Sequence, residues 1–295
     1  MAHAPRILVT GSQGLIGSRL VRTLSNEGVD VTGLDLRAPR PGDILDRQDV
    51  EQAVREVDGI IHLAAVSRVL DGERDPDKCW ATNVEGTQHL LDAAARSERE
   101  PWLVYASSRE VYGQPDSLPV SEEAPLRPVN IYGRSKAEAE VRCDRAAVRT
   151  AVVRFSNVYG TTTDHADRVV PAFARQAAEG QSLRVDGWNH TFDFTHLDDT
   201  VDGLMRLCTQ MTAGASPPPI HFVTGSATTL GQLAELAVSL ANTDAKIREA
   251  QPRTFDVARF VGNPARAASL LGWRPQTPLS NGLARLIDAF RVSPR

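Results

Sequence analysis

Thr10-Gly11-Ser12-Gln13-Gly14-Leu15-Ile16-Gly17 decides how the rest of the chain reads. The apolar run Arg6-Ile7-Leu8-Val9 leads into it, and a helically periodic segment with Leu15, Ile16, Leu20, Val21 and Leu24 leads out. That order is strand, tight turn, helix. Glycine at 11, 14 and 17 lets the backbone turn sharply, lets a ligand approach the main chain, and lets the helix pack closely on the strand. The free N–H groups and positive dipole end of that helix face the turn and suit a pyrophosphate. Gly11, Gln13, Gly14, Leu15, Ile16 and Gly17 are therefore the expected contacts of a dinucleotide. Three glycines in seven residues also occur in plain strand–helix turns, but their position straight after the first strand favours the dinucleotide.

A second strand, Val29-Asp30-Val31-Thr32-Gly33-Leu34-Asp35, ends on an acid eighteen residues past Gly17. An acid at that place reaches the adenosine ribose hydroxyls and repels a 2′-phosphate, which favours NAD over NADP. Arg37 is the opposing feature, because an arginine could serve such a phosphate. Further strands are expected at Gly59–Ala65, Trp102–Ser108 and Ala151–Phe155, separated by helices at about 47–56, 76–96 and 130–147. Alternation of this kind predicts an α/β fold, a Rossmann-type doubly wound parallel sheet. His62 reads as a packed strand residue. After residue 160 the pattern loosens into helices near 168–179, 198–211, 229–241 and 280–291 with short strands at 183–186 and 220–223. The expected division is a dinucleotide-binding domain over 1–160, to which elements of 190–225 return, and a smaller C-terminal α/β substrate-binding region over 161–295.

Composition narrows the function. The 295 residues carry a net charge of -4, so no basic footprint points to nucleic acid. No apolar run has membrane-spanning length, and Met1–Pro5 is too short and polar for a signal peptide. Cys79, Cys143 and Cys208 lie far apart, without metal-like spacing, as expected of reduced thiols in a cytoplasmic protein. His165, His190 and His196 have no paired spacing either, so no metal site is expected.

Tyr132-Gly133-Arg134-Ser135-Lys136 puts a phenol and an ammonium at i and i+4, on one helix face. The cation is expected to favour the phenolate and lower the tyrosine pKa. Such pairs are common on amphipathic helices. Together with the glycine turn, Asp35, and Ser108 at the end of another strand, the pair becomes specific.

With these motifs the chain resembles the extended short-chain dehydrogenase/reductases, the NAD-dependent epimerase/dehydratase family of nucleotide-sugar enzymes. The resemblance extends through Gly42-Asp43-Ile44, His62-Leu63-Ala64-Ala65, Asn83-Val84-Glu85-Gly86-Thr87, Ser107-Ser108-Arg109-Glu110-Val111-Tyr112-Gly113 and Arg154-Phe155-Ser156-Asn157-Val158-Tyr159-Gly160. Phe192-Asp193-Phe194-Thr195-His196-Leu197-Asp198-Asp199 and Leu271-Gly272-Trp273-Arg274-Pro275 continue it. It implies that Asp43 and Ile44 flank adenine and that Leu63, Ala64, Ala65, Asn83 and Ser107 adjoin the cofactor. Lys136 would also hold the nicotinamide ribose, Tyr132 would take a proton from a sugar hydroxyl, and Ser108 would hydrogen-bond the same oxygen. Ser67, Arg109, Asn157, His165, Arg168, Val170, Arg184 and Arg253 are the implied substrate contacts, Arg253 at the diphosphate. A homodimer through paired helices, near 76–96 and 130–147, is implied as well.

Two departures from the family pattern bear on the substrate. Phe192 stands where the family usually has an arginine aimed at the diphosphate, and Asp164-His165-Ala166-Asp167-Arg168 forms a polar loop where selectivity is usually set. The reaction turns on Ser108-Arg109-Glu110. Dehydratases of this family carry an acid at the Arg109 position, and an arginine cannot donate a proton usefully. Glu110 reads either as a base at C5 or as a partner of Arg109, although neighbours in an extended strand point oppositely. The reading is an NAD-dependent epimerase, acting at C4 through a transient ketone. The alternatives are a dehydratase or decarboxylase using Glu110, a dehydrogenase or reductase, and a non-catalytic NAD- or sugar-binding module.

Overall fold

A computed structural model describes residues 4–252 and 257–292. In chain order the strands are β1 Arg6–Thr10, β2 Asp30–Leu34, β3 Gly59–His62, β4 Trp102–Ser108, β5 Thr150–Phe155, β6 Asn157–Tyr159, β7 Leu183–Asp186, β8 Thr191–Phe192, β9 Phe194–His196, β10 Ile220–Phe222, β11 Thr228–Thr229 and β12 Ile247–Ala250. The α-helices are α1 Leu15–Asn26, α2 Arg47–Val54, α3 Val69–Arg74, α4 Pro76–Trp80, α5 Gly86–Arg96, α6 Ile131–Asp144, α7 Val169–Ala178, α8 Leu197–Thr212, α9 Leu230–Ala241, α10 Ala265–Leu271 and α11 Leu279–Val292.

Six strands form a parallel sheet in the order β10-β5-β4-β3-β1-β2. Its central strands are apolar on both faces because both faces are covered. Ile7, Val9, Ile61, Val104 and Val153 pack with Leu20 and Leu24 of α1 and Val201, Leu204 and Leu207 of α8. The alternate residues Leu8, Ile60, Leu103, Tyr105 and Val152 pack with Val50 of α2, Leu90 and Leu91 of α5, and Ala139 of α6. The period of two along each strand thus divides one apolar run between two cores. The late strand β10 joins the sheet beside β5, so the chain returns to its first half after residue 190.

A third core belongs to the C-terminal region, where Phe173 and Ala174 of α7, Leu233 and Ala234 of α9, and Leu286 and Ile287 of α11 come together. Short pairs supplement it: β6 with β9, β7 with β12, and β8 with β11. These two- to four-residue strands and the one- to two-turn helices α3 and α10 lack a legible period, and the sequence reading passes over most of them. Two longer elements also differ from expectation. The strand beginning at Gly59 stops at His62, because Leu63–Ala65 leave the sheet at its carboxyl edge. The helix expected over 76–96 is α4, a π-helical turn over Ala81–Glu85, and α5. No described helix is long and apolar enough to cross a membrane.

Candidate active site

Strand β1 pairs with β2 on one side and with β3 on the other. The chain therefore reverses direction of travel across the sheet at the carboxyl end of β1, where such sheets open a crevice. The glycine turn sits there. Gly11 has φ +68°, and a Cβ on it would lie 2.7 Å from the backbone nitrogen of Ala64. Gly14 N donates to Gly11 O at 2.9 Å, and a Cβ on Gly17 would lie 2.1 Å from that same oxygen. The turn is thus closed to any side chain at 11 and 17, and its residues line a cavity of about 1100 Å³. Asp35 flanks it: its carboxylate accepts from Gln13 N at 2.9 Å and Arg37 N at 2.8 Å. The Arg37 guanidinium turns back to the same carboxylate at 3.5 Å. Beneath the turn, buried His62 bridges Thr10 Oγ1 at 2.7 Å and Thr87 Oγ1 at 3.0 Å, and burial pushes its pKa down to about 3. It is a structural histidine.

The cavity runs from Asp35, Asp43 and Ile44 past Leu63, Ala64 and Ala65 to Ser107, Ser108, Tyr132 and Lys136, and then to Ser67, Arg109, Glu110, Asn157, His165, Arg168 and Val170. Two of the expected contacts do not line it. Asn83 is fully buried within the π turn, where its side chain accepts from Val66 N at 2.9 Å and donates to Val66 O at 3.1 Å and Ser135 Oγ at 2.9 Å. It ties the loop after β3 to α6 instead of touching the cavity. Arg184 is 72% exposed on β7 and pairs with Asp186 at 2.7 Å. Arg253 lies outside the described residues.

Helix α6 is started by Asn130, whose side chain accepts from Gly133 N at 2.7 Å. It presents Tyr132 and Lys136 on one face, as their spacing predicts, but their electrostatics differ from expectation. Lys136 Nζ donates to Ala106 O at 2.8 Å and lies 6.0 Å from the Tyr132 ring centre. Burial pushes Tyr132 up to about 12, against the pull of a hydrogen bond with Ser108 and the charge of Arg168. Burial also pushes Lys136 down to about 8. In this structure the tyrosine is therefore a phenol, because desolvation outweighs a cation already engaged elsewhere.

Beyond Ser108 the chain enters a short 3-10 turn, Arg109–Tyr112. Adjacent side chains need not oppose each other there. Arg109 Nη2 pairs with Glu110 Oε1 at 2.9 Å, and the other Glu110 oxygen accepts from Asn130 Nδ2 at 2.8 Å. The Arg109 guanidinium also lies 4.4 Å over the Phe192 ring. Phe192 thus brings no charge to the cleft but supports one, through its π face.

Several contacts that shape the site were not read from the sequence. Arg68 pairs with Asp167 across the cleft, and Arg168 Nη2 donates to Ser67 Oγ at 3.2 Å, each joining the loop after β3 to the loop before α7. Asp164 is buried beside Arg168. Behind the site, Glu140 accepts from Ser107 and from Arg154, whose Nη2 is 2.6 Å away. Apart from Asp164 and Arg168, which are four residues apart, the members of these pairs stand 14 to 101 residues apart, and no local signal marks them.

The comparisons with known proteins agree with this geometry. The model of the NAD dependent epimerase/dehydratase family matches residues 7–225. UDP-glucuronic acid decarboxylase 1 of Xenopus tropicalis is 31% identical over 309 residues, 97% of this chain and 72% of that protein. The solved structure of MoeE5 in complex with UDP-glucose and NAD superposes with a TM-score of 0.89 at 29% identity, covering 97% of this chain and 99% of that one. The UDP-glucose 4-epimerase of Thermotoga maritima, solved with UDP-glucose, also gives 0.89, at 25% identity and with 97% and 99% covered. The chain belongs to the NAD dependent epimerase/dehydratase family of nucleotide-sugar-modifying enzymes, and its cofactor is NAD.

Proposed function

We propose that this family member is a nucleotide-sugar 4-epimerase that works through a transient 4-keto sugar. The observation that carries the reading is the state of Glu110. Both of its carboxylate oxygens are engaged, one by Arg109 at 2.9 Å and one by Asn130 at 2.8 Å, and it is buried. A carboxylate so held is a poor base for a C5 proton, and Arg109 cannot supply the acid that elimination at C6 needs. Ser108, Tyr132 and Lys136 remain as the groups that move and hold protons.

The residues fit the cofactor. The glycine turn, whose residues Gly11, Gln13 and Gly14 line the cavity at the start of α1, takes the pyrophosphate; Asp35 takes the adenosine ribose; Asp43 and Ile44 flank the adenine; Lys136 holds the second ribose. When bound, NAD supplies the reversible hydride acceptor that oxidation and re-reduction at one carbon require. Tyr132 first releases its own proton to water in the open cleft, drawn off by the Lys136 charge, and as the phenolate it then accepts the proton of the sugar hydroxyl and later returns it. Ser108 hydrogen-bonds that oxygen in both states, and the Lys136 cation steadies the tyrosine once it has given up its own proton. A homodimer through α4–α5 and α6 is part of the same reading, supported by the exposed apolar side chains Trp80 and Val141 on those helices. Sedimentation of the purified protein measures it.

The reaction is tested by incubating the protein with UDP-, dTDP- and GDP-sugars in deuterated water and following products by NMR. The expected product is the C4 epimer with every carbon-bound proton retained. Deuterium at C5 or C6, or loss of the terminal carboxyl from a uronic acid, sinks the reading in favour of a dehydratase or decarboxylase.

A further inference from the structure

We infer that the sugar taken by this site is an uncharged hexose, one of whose hydroxyls donates to Asp164; the inference rests on the nucleotide-sugar reading above and narrows it. Among the described residues that line the cavity, four buried polar atoms have no hydrogen-bond partner: Tyr159 Oη sits against Gly282 of α11, and Asp164 Oδ2, Arg109 Nη1 and Asn157 Nδ2 belong to residues at the sugar end. Asp164 is the informative one. Its side chain is 2% exposed. Its other oxygen accepts from His165 N at 2.8 Å and faces Arg168 Nε at 3.6 Å. Arg168 is tied to Ser67 and acts electrostatically on the Tyr132 hydroxyl. Asp164 is thereby fixed at the Tyr132 end of the cavity, away from Asp35.

A buried carboxylate oxygen accepts hydrogen bonds and donates none, so its partner must carry an O–H or N–H. A second carboxylate against it would meet like charge in a desolvated place. The neighbouring guanidinium groups add no net positive charge to offset it, because each already has its own carboxylate. Arg109 has Glu110 at 2.9 Å, Arg168 has Asp164, and Arg68 has Asp167 together with Asp71 at 3.6 Å. Two orphan donors and one orphan acceptor are the set that hydroxyl groups satisfy, since each can both give and take a hydrogen bond. Relatives of this chain carry both UDP-glucose and UDP-glucuronic acid in their names, at comparable identity. Charge balance at Asp164 separates the two.

The test is equilibrium binding of UDP, UDP-glucose and UDP-glucuronic acid to the NAD-loaded protein at pH 7.5, repeated with dTDP and dTDP-glucose and with GDP and GDP-mannose to cover the base. The expected result is a sugar preference of about tenfold or more for the glucose ester over the glucuronate. In D164N, whose amide can donate to a carboxylate, that gap shrinks to about threefold or less, while affinity for the free nucleoside diphosphate and the melting temperature stay as in the parent. Glucuronate binding as tightly as glucose, or a gap that D164N leaves unchanged, overturns the inference and leaves the nucleotide-sugar reading standing. If no nucleotide sugar binds more tightly than its free diphosphate, the nucleotide-sugar reading falls and takes the inference with it.

Discussion

The two ends of the cavity are built from different materials. At the adenosine end recognition is made by main chain: a glycine turn with φ +68° at Gly11, the approach of Ala64, and one acid, Asp35, held by two backbone N–H groups. At the sugar end it is made by side chains from distant segments, paired as Arg109–Glu110, Arg168–Asp164 and Arg68–Asp167. A backbone cradle accepts any ligand with the same diphosphate and tolerates no new side chain. A set of ion pairs is open to substitution, and changing one member changes the charge the ligand meets. One half of the cleft therefore fixes the cofactor, and the other leaves the substrate adjustable within the same fold.

The contrast can be broken most severely at the point where the two ends meet. Tyr132→Phe removes the group proposed to take the substrate proton and is expected to lower kcat by about 10²- to 10⁴-fold. NAD content, read from absorbance of the denatured supernatant, should be unchanged. An unaltered kcat would mean that another group moves the proton. Gly17→Ala attacks the main-chain end. Its Cβ would fall 2.1 Å from Gly11 O, a backbone atom that cannot give way. NAD affinity measured by calorimetry should weaken by about 100-fold, equivalent to about 3 kcal/mol.

Glu110→Gln sharpens the comparison at the side-chain end. It strips Arg109 of its charge partner and loosens the link to Asn130 at the start of α6. Breaking such a pair should lower kcat/KM by about tenfold, with the carbon-bound protons of the product still retained in deuterated water. A C5 exchange present in the parent and lost only in this variant would make Glu110 a base. The remaining effect is on stability and belongs to pH. His62 under the glycine turn and His221 behind the site are both held near 3 by burial. Between about pH 6.5 and 3 the unfolded chain binds more protons than the folded one. Their contribution to stability is therefore complete above pH 6.5 and is lost as the pH falls toward 3. The unfolding free energy from urea titrations should drop through that window by up to about 1.4 kcal/mol per pH unit for each group, and more shallowly in His62→Asn.

Sequence and structure agree where the information is local. The glycine turn, the apolar strands β1 and β4, and the spacing of Tyr132 and Lys136 each lie within a few consecutive residues, and each stands where the pattern puts it. Two points turn on physics that spacing cannot carry. The spacing predicts that the lysine acidifies Tyr132, but Lys136 donates to Ala106 O and desolvation prevails. The sequence leaves Glu110 open between a base and a partner of Arg109, with extended geometry against the pair; a 3-10 turn replaces the extended chain and the pair forms. The Arg68–Asp167 and Arg168–Ser67 contacts were invisible, since each is set by how two loops about a hundred residues apart meet. Arg184, read as a substrate contact from its segment, faces solvent instead.

The π turn at Ala81–Glu85 has a consequence for how the gene can vary. It contains one residue more than regular winding allows, so the helical stretch changes phase partway along. Before the change Cys79 and Asn83 face α6, and after it Leu90, Leu91 and Ala94 face the sheet. Deleting a single residue from 81–85 would restore regular winding and swing one half of the stretch by about 100° relative to the other. Asn83 would then lose Val66 and Ser135 together. Such a one-residue deletion should leave the far-ultraviolet circular dichroism nearly unaltered and abolish turnover, whereas a deletion in the Ser216–Pro219 connector should be tolerated. In this stretch, length carries as much constraint as residue identity.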